Sequence, residues 1–336
     1  MGNACNSDGV MSAKLAGMEE ILDDDQESKE LEDLVLADTD IASEQTATES
    51  DAGRSTLYSN QVDIDNRIVL PSSEIGACSE VGWKPMEPNY TNQDAYLDVK
   101  LSEHRRLLGV FDGHGKLGAQ VSSRVKSAFA ELGQELSSSS DIQASLEQIF
   151  AQVCTQIHSA GIGVEAGTTA TVVLVDSIKQ QVWIANVGDS TAIVFNARGI
   201  TAFQSEDHRP DIPSEAQRLL SYGTVVREGR VPLHGTDADL GISRSIGDFP
   251  FAPQGVTAKP DIACATFERG STLLIASDGV WDMLPKDDIA TMIKDATAQE
   301  SAQRIVRDAR DKWSSALAER RVAHIDDITA VLVKSV

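Results

Sequence analysis

Leu107-Leu108-Gly109-Val110-Phe111-Asp112-Gly113-His114-Gly115 is the stretch around which the rest of the chain is read. The apolar run from Leu107 to Phe111 predicts a buried strand. It ends on an Asp and a His set among glycines. Glycine lets the backbone turn sharply and approach a ligand closely. A carboxylate and an imidazole therefore stand at the end of a stiff strand, where a site needs its reactive groups. An ordinary strand-to-helix turn, with the Asp as a helix cap, fits these residues equally well. The remainder of the chain has to separate the two.

Outward from this run, upstream residues predict strands at 75–81 and 95–101, with turn-rich sequence at 89–94. Downstream, 116–136 and 140–160 have helical spacing. In the second, Ile142, Leu146, Ile149, Phe150, Val153 and Ile157 recur at three- and four-residue steps after a capping Ser140 or Asp141. Strands follow at 168–175, 181–187 and 190–195, with Gly188-Asp189 read as a tight hairpin turn between the last two. A short helix at 213–222 precedes a polar segment, 227–239, read as an exposed flap. A buried strand at 272–276 ends in Ser277-Asp278-Gly279. Helices at 285–296 and 299–317 come next, and a closing strand, 328–333, follows Asp326-Asp327.

The chain carries 336 residues and a net charge of −23, which argues against a nucleic-acid partner. Its four cysteines, Cys5, Cys78, Cys154 and Cys264, form no CxxC pair. That usage fits reduced thiols in the cytoplasm, and equally in the nucleus. No apolar run suits a bilayer span or a secretory signal. Gly2, behind a removable Met, is a candidate for myristoylation and Cys5 for palmitoylation, although Asn6 stands where the motif prefers Ser or Thr. A single myristoyl chain binds membranes only marginally, so lipid-mediated membrane association calls for both. Residues 1–66 form an acidic, Ser/Thr-rich extension expected to be disordered, with a short helix at 28–37. The ordered domain is expected over 67–336.

Several aspartates share the ends of buried strands: Asp112, Asp278 and Asp326, with Asp94, Asp189 and Asp282 at other strand edges. Neighbouring strands would gather them in one cleft. Carboxylates about 4 Å apart repel by roughly 4 kcal/mol at an effective dielectric near 20, so such a group calls for cations or protons. All-oxygen ligation favours Mg²⁺ or Mn²⁺ over Zn²⁺. Two such ions sharing a water lower its pKa to about 7 and make hydroxide for attack on phosphorus. His114 would then protonate the leaving oxygen.

The order of motifs resembles that of metal-dependent protein phosphatases of type 2C. These are Asn92-Gln93-Asp94, Phe111-Asp112-Gly113-His114-Gly115, Gly167-Thr168-Thr169-Ala170, Asn186-Val187-Gly188-Asp189-Ser190, Asp207-His208-Arg209-Pro210, Ser243-Arg244-Ser245-Ile246-Gly247-Asp248, Lys259-Pro260-Asp261-Ile262, Ser277-Asp278-Gly279-Val280-Trp281-Asp282 and Asp326-Asp327-Ile328-Thr329. The resemblance implies an α+β fold, a four-layer α-β-β-α sandwich of two antiparallel sheets flanked by helix pairs. It also implies hydrolysis of phosphoserine and phosphothreonine on proteins, by a monomer holding two Mg²⁺ or Mn²⁺ ions and a weaker third. By the same resemblance Asp112 bridges both ions and the Gly113 carbonyl binds one. Asp278 and Asp326 bind the other, Asp94 orients water, Asp189 and Asp282 hold the third ion, and His114 is the general acid.

This sequence departs from the family pattern at several places. An Arg that binds the substrate phosphate is common five residues before the position of Asp94, and here Asn89 stands there. Lys84, in Gly82-Trp83-Lys84-Pro85, is the nearest base and the candidate replacement, a point charge without Arg's two-pronged geometry. Gln93, Thr191 and Asp327 stand where Glu, Arg and Asn are usual. Asn89 motivates one alternative, a catalytically weak phosphatase-like module that binds and regulates. A phosphoesterase for small molecules is another.

Overall fold

The structure, a computed structural model, describes residues 73–336. Gly2, Cys5, the acidic extension and the helix expected at 28–37 lie outside the described residues.

The elements, in order, are β1 (Ser73–Glu80), β2 (Asp94–Lys100), β3 (Arg105–Gly115), α1 (Gly118–Leu132), α2 (Ile142–Ser159), β4 (Ala166–Thr168), β5 (Ala170–Asp176), β6 (Gln181–Val187), β7 (Thr191–Phe195) and β8 (Thr201–Gln204). Then come α3 (Pro213–Ser221), β9 (Val231–Pro232), β10 (Asp239–Leu240), β11 (Ile246–Gly247), β12 (Asp261–Thr266), β13 (Thr272–Ala276), α4 (Asp278–Trp281), α5 (Lys286–Met292), α6 (Ala298–Ala318) and β14 (Ile328–Ser335). One antiparallel sheet has the order β1-β14-β13-β7-β8. The other runs β11-β4-β3-β5-β6-β12, with β2 also paired to β3.

β3 explains the layering. Leu108 and Val110 pack with Val173 and Ile184 against Val194, Leu273, Ile275 and Val331 of the opposite sheet. Leu107 and Phe111, on the other face, pack under α1 and α2 against Val125, Phe129, Leu146 and Phe150. A strand buried on both faces cannot alternate with polar residues, so its sequence is a continuous apolar run. The stripe expected on 140–160 is buried along α2, and the Asp141 carboxylate caps it, accepting from the Ala144 N–H at 3.1 Å. On the far side α4, α5 and α6 cover the first sheet through Val280, Ile289, Ile305 and Trp313. The result is the α-β-β-α sandwich.

Two local readings need correction. Gly188-Asp189 is not a hairpin turn, because β6 and β7 belong to different sheets and pair with β5 and β12, and with β13 and β8. The turn carries the chain from one sheet to the other. The segment at 227–239 is not wholly exposed. β9 and β10 pair within it, and Val231 and Leu240 bury themselves with Leu219, Ile242, Phe251 and Val256 in a small core of their own.

Candidate active site

Asp112 ends the apolar run of β3, and Asp94, which opens β2, is its partner in the antiparallel register. Asp278 opens α4 immediately after β13, and Asp326 precedes β14. The two sheets thus deliver carboxylates to one cleft of about 770 Å³, whose walls include Lys84, Asp112, His114, Asp189, Arg209, Asp278 and Asp326. Ser277 ties the sheets together there. Its hydroxyl donates to Asp94 Oδ2 at 2.8 Å and accepts from the Thr329 N–H at 3.0 Å. Asp112 is held by Thr169, whose hydroxyl accepts from the Asp112 N–H at 3.0 Å and whose own N–H donates to the Asp112 carbonyl at 2.9 Å. Gly113 can only be glycine, since a Cβ would lie 2.5 Å from the carbonyl oxygens of Gln93 and Gly118.

The electrostatics of this group are unfavourable as they stand. Burial, with Asp94, Asp278 and Asp326 nearby, pushes the Asp112 carboxyl well above the ordinary range. Burial and the charges of Asp189 and Asp326 do the same to Asp278, while the neighbouring Asp112 carboxyl pulls it the other way. Burial lifts Asp94 to about 7, against the pull of its Thr329 and Ser277 hydrogen bonds. Asp326 is the exception. Burial opposes its charge too, but His324, at 3.8 Å, and Lys84 outweigh it and hold the carboxyl low.

Among the described residues no three His, Cys, Asp or Glu side chains already form a set that could hold an ion as they stand. The donor chemistry nevertheless fits hard divalent cations. All candidate donors are oxygens, the buried Asp94 Oδ1 has no hydrogen-bond partner, and raised carboxyl pKa values mark groups that want a positive neighbour.

His114 lies beside this group, and its Nε2 is 2.6 Å from Asp248 Oδ2, which also accepts from the Ser245 hydroxyl at 2.6 Å. Asp248 is buried and takes a left-handed backbone, φ 50°, a conformation that costs a non-glycine residue about 1–3 kcal/mol. A Cβ on Gly167 would collide with the Asp248 carboxylate and the Ser245 hydroxyl, which accounts for that glycine. The motif around Asp248 is legible in the sequence, but nothing local in it gives Asp248 a role.

Asp189 also lines the cleft, and Asp282 stands near it. The guanidinium of Arg209 bridges them, Nε 3.0 Å from Asp189 and Nη2 3.6 Å from Asp282. A third ion at this place would have to compete with that guanidinium. The neighbouring motif residues brace the turn. His208 Nδ1 accepts from the Gly188 N–H at 3.1 Å, so Nε2 carries the proton and donates to Asp261 at 3.0 Å. Thr191, found where Arg is usual, donates to Asp207 at 2.7 Å. Glu215, unnoticed in the sequence because a charge in a short helix reads as a solvated face, is buried. Burial alone would raise its carboxyl, yet hydrogen bonds from Arg218, Arg244 and Ser243 bring it down to about 2.

Asn89 is exposed and away from the cleft, whereas Lys84 lines it. Of the cleft cations Arg209 and Arg230 are paired with aspartates, and among the described residues Lys84 makes no salt bridge.

This two-sheet architecture and the ordered motifs define a class, and comparison with known proteins agrees. Residues 77–319 match the model of the family described as protein phosphatase 2C. The chain is 30% identical over 301 residues to "Probable protein phosphatase 2C 61" of Arabidopsis thaliana, covering 81% of this chain and 87% of that protein. It is 29% identical over 311 residues to "Probable protein phosphatase 2C 72" of the same plant, covering 83% and 90%. Its fold is similar to that of the serine-threonine phosphatase 2C from Toxoplasma gondii, with a TM-score of 0.60 and 18% identity over 78% of this chain and 96% of that one. The chain belongs to the protein phosphatase 2C family.

Proposed function

We propose that this family member hydrolyses phosphoserine and phosphothreonine on proteins with the help of Mg²⁺ or Mn²⁺. The observation that carries the reading is the meeting of Asp112, Asp278 and Asp326 from both sheets in one cleft, beside an imidazole and an ammonium. Asp112, the Gly113 carbonyl, Asp278 and Asp326 would hold two ions. When bound, such a pair acidifies water and supplies the nucleophile at neutral pH. Asp94 would orient that water, a role supported by its one unpartnered carboxylate oxygen. His114 passes a proton to the leaving seryl or threonyl oxygen, an effect worth about 10²–10⁴-fold. Asp248 holds its ring through Nε2, and Nδ1 makes no hydrogen bond among the described residues. Lys84 takes the place of the missing Arg as the cation for the substrate phosphate.

The domain at 67–336 is the catalytic unit in this reading, and residues 1–66 are an extension that lipid on Gly2 and Cys5 would tether to a membrane. Mass spectrometry of the native N-terminus tests the lipid. The activity is tested with a phosphothreonine peptide and Mn²⁺. Turnover by the wild type that disappears in Asp112→Ala supports it. Absence of turnover in a wild type that binds Mn²⁺ normally would favour the binding module instead.

A further inference from the structure

Lys84 reaches the cleft from the connection between β1 and β2. A lysine there would ordinarily spread over many rotamers. Here the connection is pinned at several points. Trp83 exchanges both backbone hydrogen bonds with Ile325, at 2.7 and 2.8 Å. The Gly82 N–H donates to Asp327 Oδ1 at 2.7 Å. The Tyr90 hydroxyl donates to Asp327 Oδ2 at 2.7 Å, and the Gln93 N–H donates to the same oxygen at 2.8 Å. Asp327 is 3% exposed. One buried carboxylate beside Asp326 therefore accepts from three points along the connection. An amide could not replace it, because it has one acceptor oxygen and would turn its NH₂ towards donors. That accounts for Asp327 at a place where Asn is usual. The Tyr90 ring, fixed in this way, lies 4.6 Å from Lys84 Nζ.

We propose that Tyr90 is the positioning residue for the phosphate-binding cation. Its ring holds the Lys84 ammonium at the cleft, and Asp327 fixes that ring relative to Asp326. The inference rests on the reading of Lys84 given above. A ring attracts an ammonium through its quadrupole without neutralising it. A carboxylate partner, such as those of Arg209 and Arg230, would cancel the charge a phosphoryl group needs. The connection thus supplies what Asn89 lacks, a cation held in place which, though its charge is felt at Asp326, is tied up in no salt bridge among the described residues.

The test is calorimetric binding of inorganic phosphate to the full chain loaded with Mn²⁺, together with KM and kcat on a phosphothreonine peptide. Lys84→Ala should weaken phosphate about tenfold, the loss expected for a charged hydrogen bond at a partly open site. Tyr90→Leu should weaken it about two- to fivefold, as a cation–π contact at such a site implies. Both should raise KM more than they lower kcat. In the Lys84→Ala background Tyr90→Leu should change nothing further. Equal loss with and without Lys84 would make Tyr90 merely structural and overturn the proposal. Unchanged phosphate binding in Lys84→Ala would instead remove the reading of Lys84 on which it rests. Should Tyr90→Leu not fold, Tyr90→Phe in the same two backgrounds decides. A loss confined to the chain with Lys84 supports the proposal, and equal losses overturn it.

Discussion

Two groups of carboxylates share the cleft and are compensated in different ways. Asp189 and Asp282 face Arg209, a permanent cation supplied by the chain. Burial raises the Asp189 carboxyl, Arg209 pulls it back, and it comes to rest at about 6. Among the described residues Asp94, Asp112 and Asp278 make no salt bridge, although the Arg209 charge is felt at Asp278. Asp94 rises to about 7, and Asp112 and Asp278 rise well above the ordinary range under burial and the charges of the surrounding aspartates. The first group is braced for structure. The second must take its positive charge from solution, as protons or as metal, and exchangeable charge is what two-metal hydrolysis uses.

The largest effect should come from Asp112→Asn. Loss of the residue behind a metal ligand costs 10–100-fold, so loss of the ligand itself should lower turnover by more than about 10²-fold. Mn²⁺ binding by calorimetry should fall with it. The melting temperature of the metal-free protein should rise, since the substitution removes one of several crowded negative charges. A variant that kept Mn²⁺ affinity and rate would erase the distinction between the two groups.

Asp248→Asn comes next. The amide would hold His114 less firmly and in a different protonation pattern, so kcat should drop roughly tenfold, a part of what a general acid supplies. KM should move little, since Asp248 holds the ring through Nε2. An unchanged kcat would detach Asp248 from the chemistry.

The contrast between these residues also marks what the sequence discloses. β3 is legible because burial on both faces leaves an unbroken apolar run, and α2 because its stripe keeps the helical period. Asp112, Asp278 and Asp326 are legible because each stands at a strand end. Asp248 is not, since it meets His114 from 134 positions away and its role exists only once β4 and β11 pair. The turn at Gly188-Asp189 has the local chemistry of a hairpin, and only long-range pairing sends β6 and β7 to opposite sheets. β12 escapes notice because its small residues are largely exposed or half-buried at a sheet edge. Tyr90 and Asp327 look ordinary until the connection folds back and brings both beside Lys84.

pH should expose the buried carboxyls that lack enough positive charge in the metal-free protein, Asp189 at about 6 among them. Asp94, Asp112 and Asp278 have folded pKa values above those of the unfolded chain. Between about pH 4 and 7 the native state therefore binds more protons than the unfolded state, and stability falls as pH rises. Glu215 works in the opposite sense. Its carboxyl, at about 2, stabilises the fold above the unfolded value near 4.5 and loses that contribution as pH falls towards 2. Melting temperature without metal should therefore peak between these windows and decline by several degrees towards pH 7. Saturating Mn²⁺ should abolish the decline. A flat metal-free profile from pH 4 to 7 would mean that none of these buried carboxyls is strained.

Arg209→Gln should turn the first group into a copy of the second. Arg209 is 40% exposed, so screening limits its contribution, and the loss of stability should be about 1 kcal/mol, or roughly 2–4 °C in melting temperature. Asp189 and Asp282 would then face each other without a cation. Calorimetric counting should find a weak further Mn²⁺ site that the wild type lacks or fills only at much higher concentration. If wild type and variant bind the same number of ions with the same weak affinity, the guanidinium yields its place to metal in solution. The two groups would then differ in degree, with Arg209 acting as a displaceable counter-ion. A third ion appearing only in the variant would show that a side chain has taken over the work of a metal at one side of the cleft.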